Sequence, residues 1–184
     1  MSSNRFGCAV VSVLAAAIVV PLFLNAVANH RLLTLRSTCV QHLRNISVVF
    51  EAYRESHSLS NYPPRLSAIN WTSSSVTDLV CPGSRVQVGS TSSVDEWTDY
   101  IYIVDLSGRR APDTPLLLCP PANHYGREGC LLYSDGFTRC MWQPEFDRLV
   151  DELYANTNLA IAVSETLTKR SEGRYRSRRC PGRG

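Results

Sequence analysis

Catalytic signatures are what this chain most plainly lacks. Its 184 residues hold no G-x-S-x-G, no H-E-x-x-H and no phosphate-cradling glycine loop, so no motif points to serine hydrolysis, zincin-type proteolysis or nucleotide binding. No two cysteines have C-x-x-C spacing and His124 is the one histidine near Cys119 and Cys130 in sequence, which gives a zinc site little support from spacing alone. Lysine is almost missing: Lys169 is the single one among 19 lysines and arginines, a bias of genomic composition and not of chemistry. A broad basic surface is missing as well. Residues 169–184 carry seven cations against Glu172, which leaves 12 basic and 15 acidic residues in the rest, so nucleic acid is not an expected partner.

What is present begins with residues 8–27, CAVVSVLAAAIVVPLFLNAV, an uncharged run interrupted only by Ser12, Pro21 and Asn25. As a helix it measures ~30 Å, one bilayer core. A signal peptide cleaved at Ala26-Val27-Ala28 is one reading, but the run exceeds the usual h-region of about 7–15 residues. A lipoprotein reading of Gly7-Cys8 fails because no hydrophobic region precedes the cysteine. An uncleaved or minimally trimmed anchor fits best. Leu32, Leu35, Cys39, Leu43, Ile46, Phe50 and Tyr53 then follow at steps of three and four, the pattern of one buried helix face.

The helix is expected to stop near His57, where serines and Pro63-Pro64 cannot continue it. A short turn at Leu66 and Ile69 and a loop-rich middle third follow. Strands are predicted at 100–104, 115–119, 130–133 and 137–142, the last two joined by the hairpin dipeptide Asp135-Gly136. Residues 144–154, PEFDRLVDELY, read as a helix with Pro and acidic residues in its first turn. Residues 156–169 read as a helical continuation, and the basic end as a disordered tail. The expected organisation is a membrane segment over 1–28, a domain over 29–160 and a tail over 161–184. The fold class is α+β: a long N-terminal helix, half transmembrane, packed on an antiparallel sheet of about four strands, with a C-terminal helix.

Several stretches carry a resemblance. Residues 39–46 (CVQHLRNI), Tyr53 and Tyr62-Pro63-Pro64-Arg65-Leu66 resemble the segment after the membrane helix in bacterial pseudopilin-like proteins. Asp99-Tyr100-Ile101-Tyr102, residues 119–124 (CPPANH) and 131–136 (LLYSDG) resemble the prepilin-type processing-associated H-X9-DG proteins of the type II secretion and type IV pilin-like superfamily. His124, Asp135 and Gly136 would be the motif residues, although ten residues separate His124 from Asp135. Gly7 and Cys8 would be the processing site, with Ser12 where pilins carry a glutamate. The resemblance implies a pilin-like roll, single-pass attachment to the bacterial inner membrane, and a domain facing the periplasm or exterior. Other pilin-like subunits or secretion-system components would be its partners.

The function expected is that of a structural protein of a secretion or pilus-like assembly, not an enzyme. The alternative is a secreted or tethered ligand-binding module that does not polymerise. A third reading, a thiol- or metal-dependent hydrolase, would require His124 to cluster with reduced cysteines. No cofactor is expected. Calcium is weighed because pseudopilins resembling this architecture bind it, with Asp95, Glu96 and Asp99 as candidate ligands beside Asp105 and Asp113, in no defining spacing. Of seven cysteines, Cys8 and Cys180 lie in the apolar run and the tail. Among the other five, Cys130 with Cys140 and Cys81 with Cys119 are candidate disulfides in an oxidising compartment, which leaves Cys39 over.

Overall fold

The structure, a computed structural model, describes residues 3–57, 62–105, 114–171 and 173–176, with side chains from residue 17 onward. The chain divides into two compact units, Met1–Thr34 and Leu35–Gly184.

The first helix, α1 (Ser3–Ser56), begins in the first unit and contains Pro21. There Ile18, Val19, Val20, Leu22, Phe23 and Leu24 are all more than half exposed. These near-consecutive positions point in every direction around the helix, so the surface is apolar all round. Among the described residues α1 is the one helix long and apolar enough to cross a membrane. Gly7 and Cys8 lie in α1 at positions whose side chains are outside the described residues.

The second unit is built on a five-stranded antiparallel sheet ordered β4-β3-β2-β1-β5. Its strands are β1 (Ile101–Asp105), β2 (Pro115–Cys119), β3 (Glu128–Tyr133), β4 (Thr138–Trp142) and β5 (Leu159–Ala162). Alternate side chains enter two different cores, as the period of two requires. Tyr100, Tyr102, Leu117, Cys119, Cys130 and Leu132 join Cys39, Leu43, Ile46 and Phe50 of α1 in the first core. Ile101, Ile103, Leu118 and Leu131 face the second core with Phe146, Val150 and Leu153 of α3 (Gln143–Ala155). A register shift between Pro115 and Leu117 allows the consecutive Leu116 and Leu117 to share the first core. The sheet is therefore covered on both faces.

The tyrosine-proline turn closes the first core from outside. Phe50 stacks on Tyr102 with centroids 5.7 Å apart and meets Tyr62 edge-on at 6.3 Å. The Tyr102 hydroxyl donates to Pro63 O at 2.6 Å, and that of Tyr62 to Ser134 O at 3.0 Å. At the β3–β4 hairpin Gly136 takes the left-handed φ of 80° that the turn requires. Asp135 Oδ1 accepts from Phe137 N at 2.8 Å and stabilises the same turn.

Two expectations for the C-terminal region are corrected. Residues 159–162 form strand β5, not helix, and pair with β1 from Tyr102↔Ala162 to Asp105↔Leu159. Leu159, Ile161 and Val163 alternate into the second core, a burial pattern that short apolar sequence cannot distinguish from a helix without its partner strand. The tail expected over 161–184 is likewise folded through α4 (Glu165–Arg170). Ser164 caps α4 by accepting from Leu167 N at 3.0 Å and donates its hydroxyl to Thr98 O at 2.6 Å. Arg170 Nη1 then meets the fully buried Asp99 at 2.6 Å and Ser84 Oγ at 2.7 Å. Residues 177–184, with Cys180, lie outside the described residues, as does Asp113.

Burial pushes the Asp99 carboxyl up to about 6, against the downward pull of the Ser84 hydrogen bond and the Arg170 charge. A carboxyl raised in the fold holds its proton to higher pH than the unfolded chain does, so its ionisation costs stability as pH rises toward and through about 6. Arg170 matters most where Asp99 is charged. Arg170→Ala is expected to lower stability by about 2 kcal/mol near pH 7.5, discounted for the partly exposed guanidinium, and by less near pH 5. Urea unfolding of the full-length protein in detergent measures both values; an equal loss at the two pH values would remove the ion pair as its source.

Candidate metal centre

Four elements deliver one side chain each to a single point in the first core. Cys39 comes from the inward face of α1, and Cys81 from the turn after the 3₁₀ segment Val76–Leu79. Cys119 ends β2, and His124 ends the 3₁₀ turn Pro121–His124. One potential ligand atom from each lies within 4.8 Å of every other, and all four residues are buried. His124 Nε2 sits 3.4 Å from both Cys81 Sγ and Cys119 Sγ. Among the described residues no other set of three or more such side chains is drawn together in this way.

Local backbone geometry explains the convergence. Cys81-Pro82-Gly83-Ser84 is a tight turn closed by Ser84 N donating to Cys81 O at 2.8 Å. Gly83 lets that turn lie on the Pro121–His124 segment: a Cβ there would stand 1.8 Å from Asn123 O. Pro121 sets the φ of the first residue of its turn. The left-handed Tyr125, at φ 55°, ends it and leaves His124 pointing inward. Asp99, beside the cluster, accepts from Cys81 N at 3.3 Å. Asn123 Nδ2 spans Asp99 O at 3.4 Å and Cys119 Sγ at 3.6 Å.

The three sulfurs are not electrostatically alike. Hydrogen bonds from Cys119 and then Cys39 hold the Cys81 thiol far below the ordinary thiol range, outweighing burial, with His124 acting in the same direction. Burial foremost, then its hydrogen bonds with Cys39 and Cys81, pushes Cys119 well above that range. Burial also raises the phenol of Tyr100, followed by the charges of Cys39, Cys119 and Cys81, which places Tyr100 against the same sulfurs. Negative charge therefore concentrates on Cys81 while its neighbours act as donors.

The other candidate residues fall elsewhere. Cys130 and Cys140 face each other across β3 and β4 and form the expected disulfide. Cys81 and Cys119 do not pair with each other; both are free thiols, as is Cys39. The correction has a geometric cause, since α1 brings Cys39 to the same point. His124 and Asp135 lie beyond opposite ends of β3, a strand length of roughly 17–20 Å apart, so they form no joint site. The calcium candidates are dispersed too. Asp95 accepts from Leu66 N, Ser67 N and the Ser67 hydroxyl, holding the turn at Leu66–Ala68. Asp99 is committed to Arg170 and Cys81 N. Glu96 is linked to α4 by its backbone, whose carbonyl accepts from Thr166 Oγ1.

Sequence reasoning missed the role of Cys39. Its position among Leu35, Leu43 and Ile46 reads as plain core, and its partners lie far along the chain. The Cys-Pro pairs at Cys81-Pro82 and Cys119-Pro120 were the available signal, each marking a sulfur where a strand or turn breaks.

A reactive Cys-His pair requires an accessible thiolate. Here Cys39, Cys81, Cys119 and His124 are each 0% exposed, so the geometry suits a structural cluster and not a nucleophile that receives substrate. No family model, no curated protein and no solved structure matches this chain.

Gly83→Ala is expected to lift the 81–84 turn from Asn123, lower stability by about 1–3 kcal/mol and expose Cys81. The rate at which an alkylating reagent labels Cys81 in the native protein, read by peptide mass spectrometry, should rise. Labelling as slow as in the unsubstituted protein would show that the close approach at Gly83 does not shield the cluster.

Proposed function

We propose that this protein is a membrane-anchored, pseudopilin-like structural protein of a type II secretion or type IV pilus-like assembly. Residues 8–27 would hold it in the bacterial inner membrane by a single pass, with the second unit on the periplasmic or outer side. The observation that carries this reading is the change in character along α1. Apolar side chains at 18–24 are exposed all round, whereas at 39–50 one face alone is buried against an antiparallel sheet. A soluble protein seldom exposes so long an apolar surface without a partner for it, and lipid is the partner that matches its length. The Tyr62-Pro63-Pro64 turn on Phe50 and Tyr102, and the Asp135-Gly136 hairpin, support the pilin-like reading because they are the motif segments and serve as fold closures. Membrane-spanning helices of neighbouring subunits would associate through the apolar segment, and the sheet would present its loops to other components. The Cys130–Cys140 disulfide fits an oxidising compartment.

A tethered ligand-binding module is the second reading. The feature in its favour is a cleft of about 510 Å³ lined by Pro64, Arg65, Ser67, Asp95, Ala160 and Ala162 at the β5 edge of the sheet. Its lining contains no aromatic side chain, unlike most small-molecule sites, so the structural role is preferred.

Expressed with its full N-terminus, the protein should stay with membranes through alkaline extraction, and deletion of residues 8–27 should move it to the soluble fraction. A deletion product that still sediments with membranes would defeat the anchor. Mass spectrometry of the mature N-terminus separates the readings further: cleavage after Gly7 with methylated Cys8 supports prepilin-type processing, and cleavage after Ala28 would replace the anchored protein with a secreted one.

A further inference from the structure

The cluster in the first core has a stoichiometry that disulfide chemistry cannot satisfy. Three free thiols surround one imidazole nitrogen, and any disulfide among them would strand one sulfur and the ring in an apolar interior. The protein also contains the Cys130–Cys140 disulfide, one cross-strand pair away from Cys119. Conditions that oxidise that pair would also act on three sulfurs lying within 4.8 Å of one another, unless something else holds them.

We propose that Cys39, Cys81, Cys119 and His124 form a structural zinc site, with three thiolates and His124 Nε2 as the four ligands. The donor set is that of closed structural zinc centres, which bind through Cys₃His as readily as through Cys₄. Tetrahedral zinc with bonds of about 2.3 Å to sulfur and 2.0–2.1 Å to nitrogen sets sulfur–nitrogen edges near 3.5 Å and sulfur–sulfur edges near 3.8 Å. The two observed sulfur–nitrogen separations are both 3.4 Å, and no pair in the set exceeds 4.8 Å. Soft thiolates in tetrahedral array select zinc over the hard cations calcium and magnesium.

Binding is acid-base chemistry without a redox step. Three sulfur–zinc bonds and one nitrogen–zinc bond form, the protons still held by the three sulfurs pass to solvent, and the site carries one net negative charge. Asn123 Nδ2 is placed to donate to the Cys119 sulfur. All four positions are filled by protein and none faces water, so the ion would hold structure and not activate a nucleophile. It would join α1 at Cys39, the 81–84 turn, the end of β2 and the 121–124 turn, segments that no strand ladder links to one another. The inference goes beyond the structural role proposed above and does not depend on assembly or on membrane attachment.

The test is metal analysis of the full-length protein, purified in detergent without chelator. About one zinc per chain is expected by inductively coupled plasma mass spectrometry. Cys39→Ser, Cys119→Ser and His124→Ala should each lose it, and a Cys8→Ser/Cys180→Ser double variant should keep it. Because the single variants can fail to fold, the unsubstituted protein gives a second reading. After removal of its metal under reducing conditions, cobalt(II) should bind at one equivalent, with thiolate charge-transfer bands and intense tetrahedral ligand-field bands that zinc then abolishes. A protein that takes up no zinc or cobalt while Cys39, Cys81 and Cys119 all remain titratable as thiols would overturn the proposal. So would a native disulfide among Cys39, Cys81 and Cys119.

Discussion

The second unit depends on a sheet whose two faces are both taken out of water. Because side chains alternate along each strand, burying both faces demands apolar residues at nearly every position, and β2 and β3 supply them through PLLLC and EGCLLY. Each face then needs its own cover. The inward face of α1 and the tyrosine-proline turn cover one, and α3, β5's flanking residues and α4 cover the other. Gly129 shows how closely the second cover is drawn in, for a Cβ there would stand 2.2 Å from the Phe146 ring. Loop segments of the middle third close the open sides of the first core, with Leu66, Trp71, Leu79 and Trp97 buried in stretches that are mostly irregular.

Much of this was legible in the residues. The heptad-like spacing from Leu35 to Tyr53 announced a helix with one inward face, and the Asp-Gly dipeptide between apolar runs announced the hairpin that joins Cys130 to Cys140. Local signals of that kind depend only on neighbours in sequence. The strand at 159–162 was not legible, because LAIA is short, half alanine, and takes its identity from β1 nearly sixty residues earlier. α4 was hidden by the cations around it: Arg170 reads as part of a solvated basic end until Asp99 is found buried opposite it.

The cluster lay between these cases. Cys81, Cys119 and His124 stood out, but a pairing of two sulfurs was the economical guess while the helix was treated as a cover alone. Sequence spacing is informative for metal ligands when they sit in one small loop. Here the four residues come from a helix, two turns and a strand end, so their proximity is a property of the tertiary fold. The carboxylates that sequence grouped together show the converse. Asp95, Glu96 and Asp99 are close in the chain, yet one holds a turn, one offers its backbone to α4, and one neutralises Arg170.

The placement of β5 also sets an order on how the protein can be made. β1 lies between β2 and β5, so until residue 162 has been synthesised one whole edge of β1 has no hydrogen-bonding neighbour and Ile101 and Ile103 lack half of their cover. Pairings so distant in the chain close late and slowly. Until then β1 presents an open edge of the kind that invites pairing with another chain.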